Sequence, residues 1–263
     1  MTARRFGVVP AAGSGTRLLP YRAAKELIQV GYRTVDGRPL PKAAIEHVLL
    51  AMRTGGVDNV LLVLSPDKGD VFRYLGAGQQ LGLDLAYLCQ ERPLGLPDAL
   101  NLATPYLGDE TVCMGLPDTM CTPADCFAQL FDFHEAQRAD LSLGVFPTGQ
   151  PQALAPVVVE PRSHRVLAVV DKPEHPPVSN TWGIAVWSPA FTRLLQEFVA
   201  NTAEPRGESL LSDVFATAVT AGLRVRALTF DAGEYHDIGT PDGVVRARQW
   251  LESEAGVLTG PRV

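Results

Sequence analysis

The chain has 263 residues, 46% of them hydrophobic, and a formal net charge of −6. That is enough apolar material for one large α/β domain. An acidic balance without any Lys/Arg-rich run excludes non-specific nucleic-acid binding, which needs a basic footprint. No apolar run is long enough to span a bilayer. The basic start, Met1 to Arg5, leads into an apolar stretch broken at Gly13, which is not the pattern of a secretory signal. Cys89, Cys113, Cys121 and Cys126 have no paired metal-ligand spacing and read as reduced thiols of a cytoplasmic protein.

In chain order, Phe6 to Val9 reads as a buried strand, followed by the small-residue loop Ala11-Ala12-Gly13-Ser14-Gly15-Thr16-Arg17 and then Lys25. Asp36-Gly37 marks a turn. Pro41 is expected to open a helix, because Ile45, Val48, Leu49 and Met52 recur at helical spacing before Gly55-Gly56. Asn59 to Leu64 and Asp84 to Cys89 read as strands flanking a helix or crossover from Lys68 to Tyr74. A Pro/Gly-rich connection from Gln90 leads into a helix from about Asp98 to Leu107, and Thr111 to Leu116 is a further strand ending in Pro117-Asp118. A helix from Ala124 to Gln137 and a strand from Asp140 to Phe146 follow.

Alternation of strands and helices predicts βαβ units and a Rossmann-like, mostly parallel central sheet flanked by helices. The second half reads as a smaller mixed β region: strands at Val157–Val159, Val166–Asp171 and Thr181–Trp187, helices at Pro189–Val199 and Ser209–Ala221, a strand at Arg224–Thr229 and an extended piece at Tyr235–Ile238. Thr240 and Pro241 are suited to the N-cap and first position of a last helix. One domain over 1–263 is expected, with a soft boundary near residue 147 between a nucleotide half and an acceptor half.

The loop carries the first chemistry. Gly13 and Gly15 allow positive φ and close backbone approach, successive N–H groups there form an anion-binding concavity, and Arg17 and Lys25 add a fork and a point charge. The spacing is not that of a P-loop, and Leu18 stands where a dinucleotide fingerprint has its third glycine. The same residues would also serve a plain turn with solvated charges. Asp118 and Asp237, both at strand ends, are candidates to share a Mg²⁺ ion, which takes a few carboxylates plus phosphate oxygens; each alone is equally a turn or cap residue. His47 reads as a satisfied surface residue, His134 as lying in polar surroundings, and the Trp182/Trp187 pair as sheet packing.

In combination these residues resemble the sugar-1-phosphate nucleotidyltransferases, nearest the branch that makes dTDP- or UDP-glucose. The resemblance rests on an ordered set: Gly13, Gly15, Thr16, Arg17 and Lys25; Gln90, Gly95 and Leu96; Leu116-Pro117-Asp118; Asp171-Lys172-Pro173; Arg206-Gly207-Glu208; and Tyr235-His236-Asp237-Ile238-Gly239-Thr240. It implies Mg²⁺-dependent transfer from an NTP, dTTP or UTP, to a sugar 1-phosphate. It implies nucleotide contacts from Ala11, Ala12, Gly13, Ser14, Gly15, Thr16, Gln90 and Gly95, with Arg17, Lys25 and Lys172 catalytic. Lys172, Trp182, Gly183 and Glu208 form the candidate acceptor set, and Asp118 and Asp237 the metal set. Expected partners are the NTP and a phosphorylated small molecule, with no nucleic acid or membrane and self-association left open. Pro117, Ala155-Pro156 and Leu210 depart from the family pattern, so a cytidylyltransferase for a phosphonate, or a non-catalytic nucleotide-sugar sensor, stand as alternatives.

Overall fold

The computed structural model describes residues 5–13, 15, 18, 24–202 and 209–259. The chain opens with β1 (Arg5–Pro10), a separate hairpin of β2 (Gln29–Val35) and β3 (Arg38–Ala43), and helix α1 (Ala44–Thr54). Strand β4 (Asn59–Leu64), helix α2 (Gly69–Leu75), strand β5 (Asp84–Cys89), helix α3 (Leu96–Ala103) and strand β6 (Thr111–Gly115) follow. A short strand β7 (Thr119–Cys121) and helix α4 (Cys126–Gln137) lead to β8 (Leu141–Pro147), the β9 (Val157–Glu160) and β10 (Arg165–Val169) hairpin, and β11 (Asn180–Trp187). Helices α5 (Pro189–Asn201) and α6 (Leu211–Thr220), strands β12 (Val225–Thr229) and β13 (Tyr235–Asp237), and helix α7 (Pro241–Thr259) complete it.

Nine strands form one sheet in the order β5-β4-β1-β6-β11-β8-β12-β10-β9. From β5 to β12 only β11 runs against the other six strands; the β9–β10 hairpin joins the far edge through Arg165 and Arg226. The central strands are continuous apolar runs because helices cover both faces. On one face Leu100, Phe191 and Phe215 meet Val8, Met114, Leu143 and Trp187. On the other, Ile45, Leu49, Met52, Phe127 and Phe131 meet Val9, Leu62, Cys113 and Phe146. Helix α7 closes a third cluster, in which Ala247 joins Val30, Met120 and Ile238. Among the described residues no helix is long and apolar enough to cross a membrane.

Several local expectations change. Pro41 does not open α1: Pro39 and Pro41 lie in β3, where a two-stranded edge tolerates residues without an N–H. The helix begins at Ala44, and Glu46 reaches back to accept the Ala43 N–H at 2.6 Å. The Asp36-Gly37 turn, with φ of 49° and 76°, joins two strands that the sequence reading did not place. His134 is buried on α4 against Ser142 (2.9 Å) rather than in polar surroundings, and burial lowers its pKa to about 4. His47 is satisfied, by the Val30 carbonyl at 2.8 Å, but is half-buried rather than on the surface.

Candidate active site

Strands β1, β4, β5 and β6 are parallel, so the segments that follow them emerge at one end of the sheet, where ligands bind in open α/β folds. There they enclose a cleft of about 380 Å³. Its walls include Ala12, Gly13 and Gly15 after β1, Gln90 and Gly95 after β5, Asp118 after β6, and Lys25. Gly239, from the turn after β13, closes another side. Residues as far apart in sequence as 12 and 239 thus share one space. Ala11 sits beneath it, its N–H bonded to the Val63 carbonyl at 2.7 Å.

Lys25 begins a short helical turn (Lys25–Leu27) and runs along the glycine loop: a Cβ on Gly15, where φ is +65°, would lie 3.6 Å from its Cδ. Its Nζ is 2.5 Å from Asp118 Oδ2, with both side chains largely enclosed. The two aspartates come together through the backbone. Strands β7 and β13 pair with Asp237 opposite Thr119, and the Ile238 N–H donates to the Asp118 carbonyl at 2.9 Å. Asp237 Oδ1 accepts the Gly239 N–H at 2.7 Å, and Thr240 Oγ1 accepts the Gly243 N–H at 3.1 Å as the cap of α7.

The Gln90 side chain is fixed by two acceptors: its Nε2 donates to Asp98 Oδ2 at 2.8 Å and to the Gly95 carbonyl at 3.1 Å. Because both neighbours can only accept, the amide nitrogen must face them, and its Oε1 takes no part in these bonds. Gly95 (φ +105°) is pressed against Ser209, whose N–H donates to the Leu94 carbonyl at 3.1 Å. The loop after β5 is thereby clasped to the second half of the chain.

The other expected residues are not among these cleft walls or fall outside the described set. Lys172 has φ of +42°, its N–H donates to the Leu154 carbonyl at 2.8 Å, and its largely exposed ammonium is 3.8 Å from Asp171. Trp182 is buried on β11, edge-on to Phe215 at 5.4 Å. Gly183 packs against Cys121, Phe146 and Tyr235, with no room for a Cβ. Ser14, Thr16, Arg17 and Glu208 lie outside the described residues. Two residues that the sequence reading did not single out, Lys68 and Glu26, are buried directly behind the loop. Lys68 Nζ is 2.7 Å from Glu26 Oε1. Desolvation raises the Glu26 pKa, against the lowering effect of Lys68.

Sheet topology and the glycine-lined cleft define an α/β protein whose cleft lies at the carboxyl ends of parallel strands. More narrowly, the chain belongs to the nucleotidyl transferase family, whose model matches residues 6–254. It is 29% identical over 241 residues to a mannose-1-phosphate guanylyltransferase of Mycobacterium tuberculosis, covering 91% of this chain and 62% of that one. It is 29% identical over 237 residues to a glucose-1-phosphate thymidylyltransferase of Streptomyces antibioticus, covering 88% and 62%. The chain therefore spans just under two thirds of the length of these relatives. A Neisseria meningitidis glucose-1-phosphate thymidylyltransferase is 25% identical over 250 residues, covering 94% and 82%. The fold matches a UDP-glucose pyrophosphorylase solved with UDP-glucose (TM-score 0.78, 18% identity), covering 95% of this chain and 99% of that one.

Proposed function

We propose that the protein transfers a nucleotidyl group from UTP or dTTP to a sugar 1-phosphate, giving an NDP-sugar and pyrophosphate, with Mg²⁺. The observation that carries this reading is the convergence of the glycine turn, Lys25, Gln90 and Asp118 on one cleft. The relatives' names support transfer to a sugar 1-phosphate, one being a thymidylyltransferase and another a guanylyltransferase. The chain is read as one unit, residues 1–147 holding the nucleotide and 148–263 the acceptor, acting in the cytoplasm.

The reaction asks for positioning and charge rather than proton transfer. A phosphate monoester is already an anionic nucleophile. Its oxygen attacks the α-phosphorus, the bond from that phosphorus to the β-phosphate oxygen breaks, and pyrophosphate leaves with the electron pair. The glycine turn and Arg17 hold the β- and γ-phosphates, Lys25 the α-phosphate, and Lys172 the incoming phosphate, offsetting the repulsion of two anions. Lys25 is held by Asp118; the triphosphate offers it further acceptors.

The donor set fits Mg²⁺. Asp118, just before β7, and Asp237, on β13, would supply two carboxylate oxygens, and no cluster of three or more potential ligands exists among the described residues. A cation there would complete its shell with phosphate oxygens and water, as Mg²⁺ does. When bound it would supply Lewis-acid stabilisation of charge on the phosphoryl oxygens.

The fixed Gln90 amide supports the base assignment. Its Oε1 accepts the ring N–H of uracil or thymine, whereas cytosine presents a lone pair at that position. On the acceptor side, Ala155 and Pro156 bring no side-chain donor, which favours an acceptor other than glucose 1-phosphate. A matrix of NTPs against sugar phosphates and phosphonates, read by pyrophosphate release, tests the proposal. Release with UTP or dTTP and a sugar phosphate supports it. Preference for CTP with a phosphonate, or nucleotide binding with no release, replaces it.

A further inference from the structure

Lys68 belongs to no motif and lies at the entrance to α2, yet it is 6% exposed. Its ammonium donates to the Ala11 carbonyl at 2.6 Å, to the Gly13 carbonyl at 2.6 Å, and to Glu26 Oε1 at 2.7 Å. An ammonium has three protons, and all three are committed. Two of the three partners are carbonyls of the glycine loop, and the third is the residue next to Lys25.

The consequence follows from peptide geometry. In a trans peptide the C=O and the following N–H point in opposite directions. A cation that draws in the Ala11 carbonyl from behind therefore turns the Ala12 N–H away from itself, and Ala12 is on the cleft wall. The Gly13 carbonyl, an acceptor that would repel phosphate, is likewise taken up by Lys68 rather than presented to the cleft. Through Glu26, which is fully buried, the same ammonium fixes the short turn that carries Lys25.

Resting on the nucleotidyl-transfer reading, we propose that Lys68 is a positioning residue. It sets the glycine loop in its anion-accepting form and registers Lys25 against that loop, without touching the substrate. A merely structural role would make Lys68 no more than the counter-charge that lets Glu26 be buried. The two roles separate in a pair of variants of the full chain, Lys68→Met and Lys68→Met/Glu26→Gln. The double variant removes the unpaired buried carboxylate but leaves both loop carbonyls untethered.

The measurements are the affinity for UTP with Mg²⁺, by calorimetry without any acceptor, and the urea midpoint. At metal sites, losing an outer-shell partner typically costs about 10–100-fold in affinity, and the same scale applies here by analogy. Lys68→Met is expected to lose affinity on that scale and to lose stability. The double variant is expected to regain most of the stability and to stay weak for UTP. Recovery of affinity to within about threefold of wild type in the double variant, or unchanged affinity in Lys68→Met, overturns the proposal. Because the readout needs no acceptor, an inactive wild type that still binds UTP refutes the transfer reaction alone. A wild type that binds no nucleoside triphosphate refutes both.

Discussion

Replacing Gly95 by alanine tests how tightly the loop after β5 is held against the second half of the chain. Gly95 has φ of 105° and ψ of −179°, a region that only glycine occupies readily, and forcing another residue there costs about 1–3 kcal/mol. An added Cβ would overlap the Ser209 carbonyl oxygen and lie 2.7 Å from the Ser209 nitrogen. Both are backbone atoms that cannot rotate aside, so the loop must move. Movement breaks the Ser209 N–H bond to the Leu94 carbonyl and the Gln90 bond to the Gly95 carbonyl, at about 1 kcal/mol each. The total is about 3–5 kcal/mol before any of it is relieved as the loop opens. Urea unfolding should register that loss, and the KM for the NTP should rise by about tenfold or more as Gln90 is displaced. Gly149→Ala is the control, since an added Cβ there meets nothing within 4 Å and φ is not positive. If the two variants are indistinguishable in both stability and KM, the clasp does not organise the cleft.

Other outcomes follow from the same geometry. Asp118→Asn should fold and lose about 10²–10³ in turnover, the usual cost of one preorganised charge contact; turnover within threefold of wild type, by pyrophosphate release, removes its role. Asp98→Ala removes the shorter of the two acceptors that hold the Gln90 amide nitrogen, leaving only the Gly95 carbonyl, and loosens the amide. The wild-type preference for UTP over CTP should fall about 10–100-fold in competition binding, and an unchanged ratio contradicts the base assignment. His134 is kept neutral by burial, with a pKa of about 4 against an ordinary value near 6.5. Between those values the unfolded chain binds more protons, so stability is full above about pH 6.5 and declines as pH falls towards 4. By pH 5 the loss attributable to this group is about 2 kcal/mol. His134→Asn should flatten that slope in urea titrations at pH 7 and pH 5; an unaltered slope assigns the effect elsewhere.

The parts legible in the sequence are those whose signal is local. Val60 to Leu64 and Val112 to Met114 are apolar without interruption because helices cover both faces, so β4 and β6 announce themselves. Strands β2 and β3 do not, since Gly31, Pro39, Pro41 and the charged residues of an exposed hairpin mimic a loop; only their Asp36-Gly37 turn was recognisable. Strand β7 is three residues long and exists because β13 pairs with it from more than a hundred positions away. His134 was recoverable in principle: Phe127, Leu130, Phe131 and His134 share one helical stripe, which places the imidazole inside. Lys68 was not, because its partners Ala11, Gly13 and Glu26 are 57, 55 and 42 residues distant and no spacing connects them. The cleft itself was half legible. Gly13, Lys25, Gln90 and Asp118 follow strands whose parallel order can be read, while the Asp98 anchor that orients Gln90 emerges only in three dimensions.

The most direct test of nucleotidyl transfer follows the acceptor's oxygen atoms. With Mg²⁺, UTP and a sugar 1-phosphate labelled with ¹⁸O on its phosphate, the account predicts that the label is retained in the NDP-sugar and is absent from the pyrophosphate released. Label in a pyrophosphate or phosphate product, or loss of the γ-phosphate in place of pyrophosphate, would contradict attack by the acceptor on the α-phosphorus.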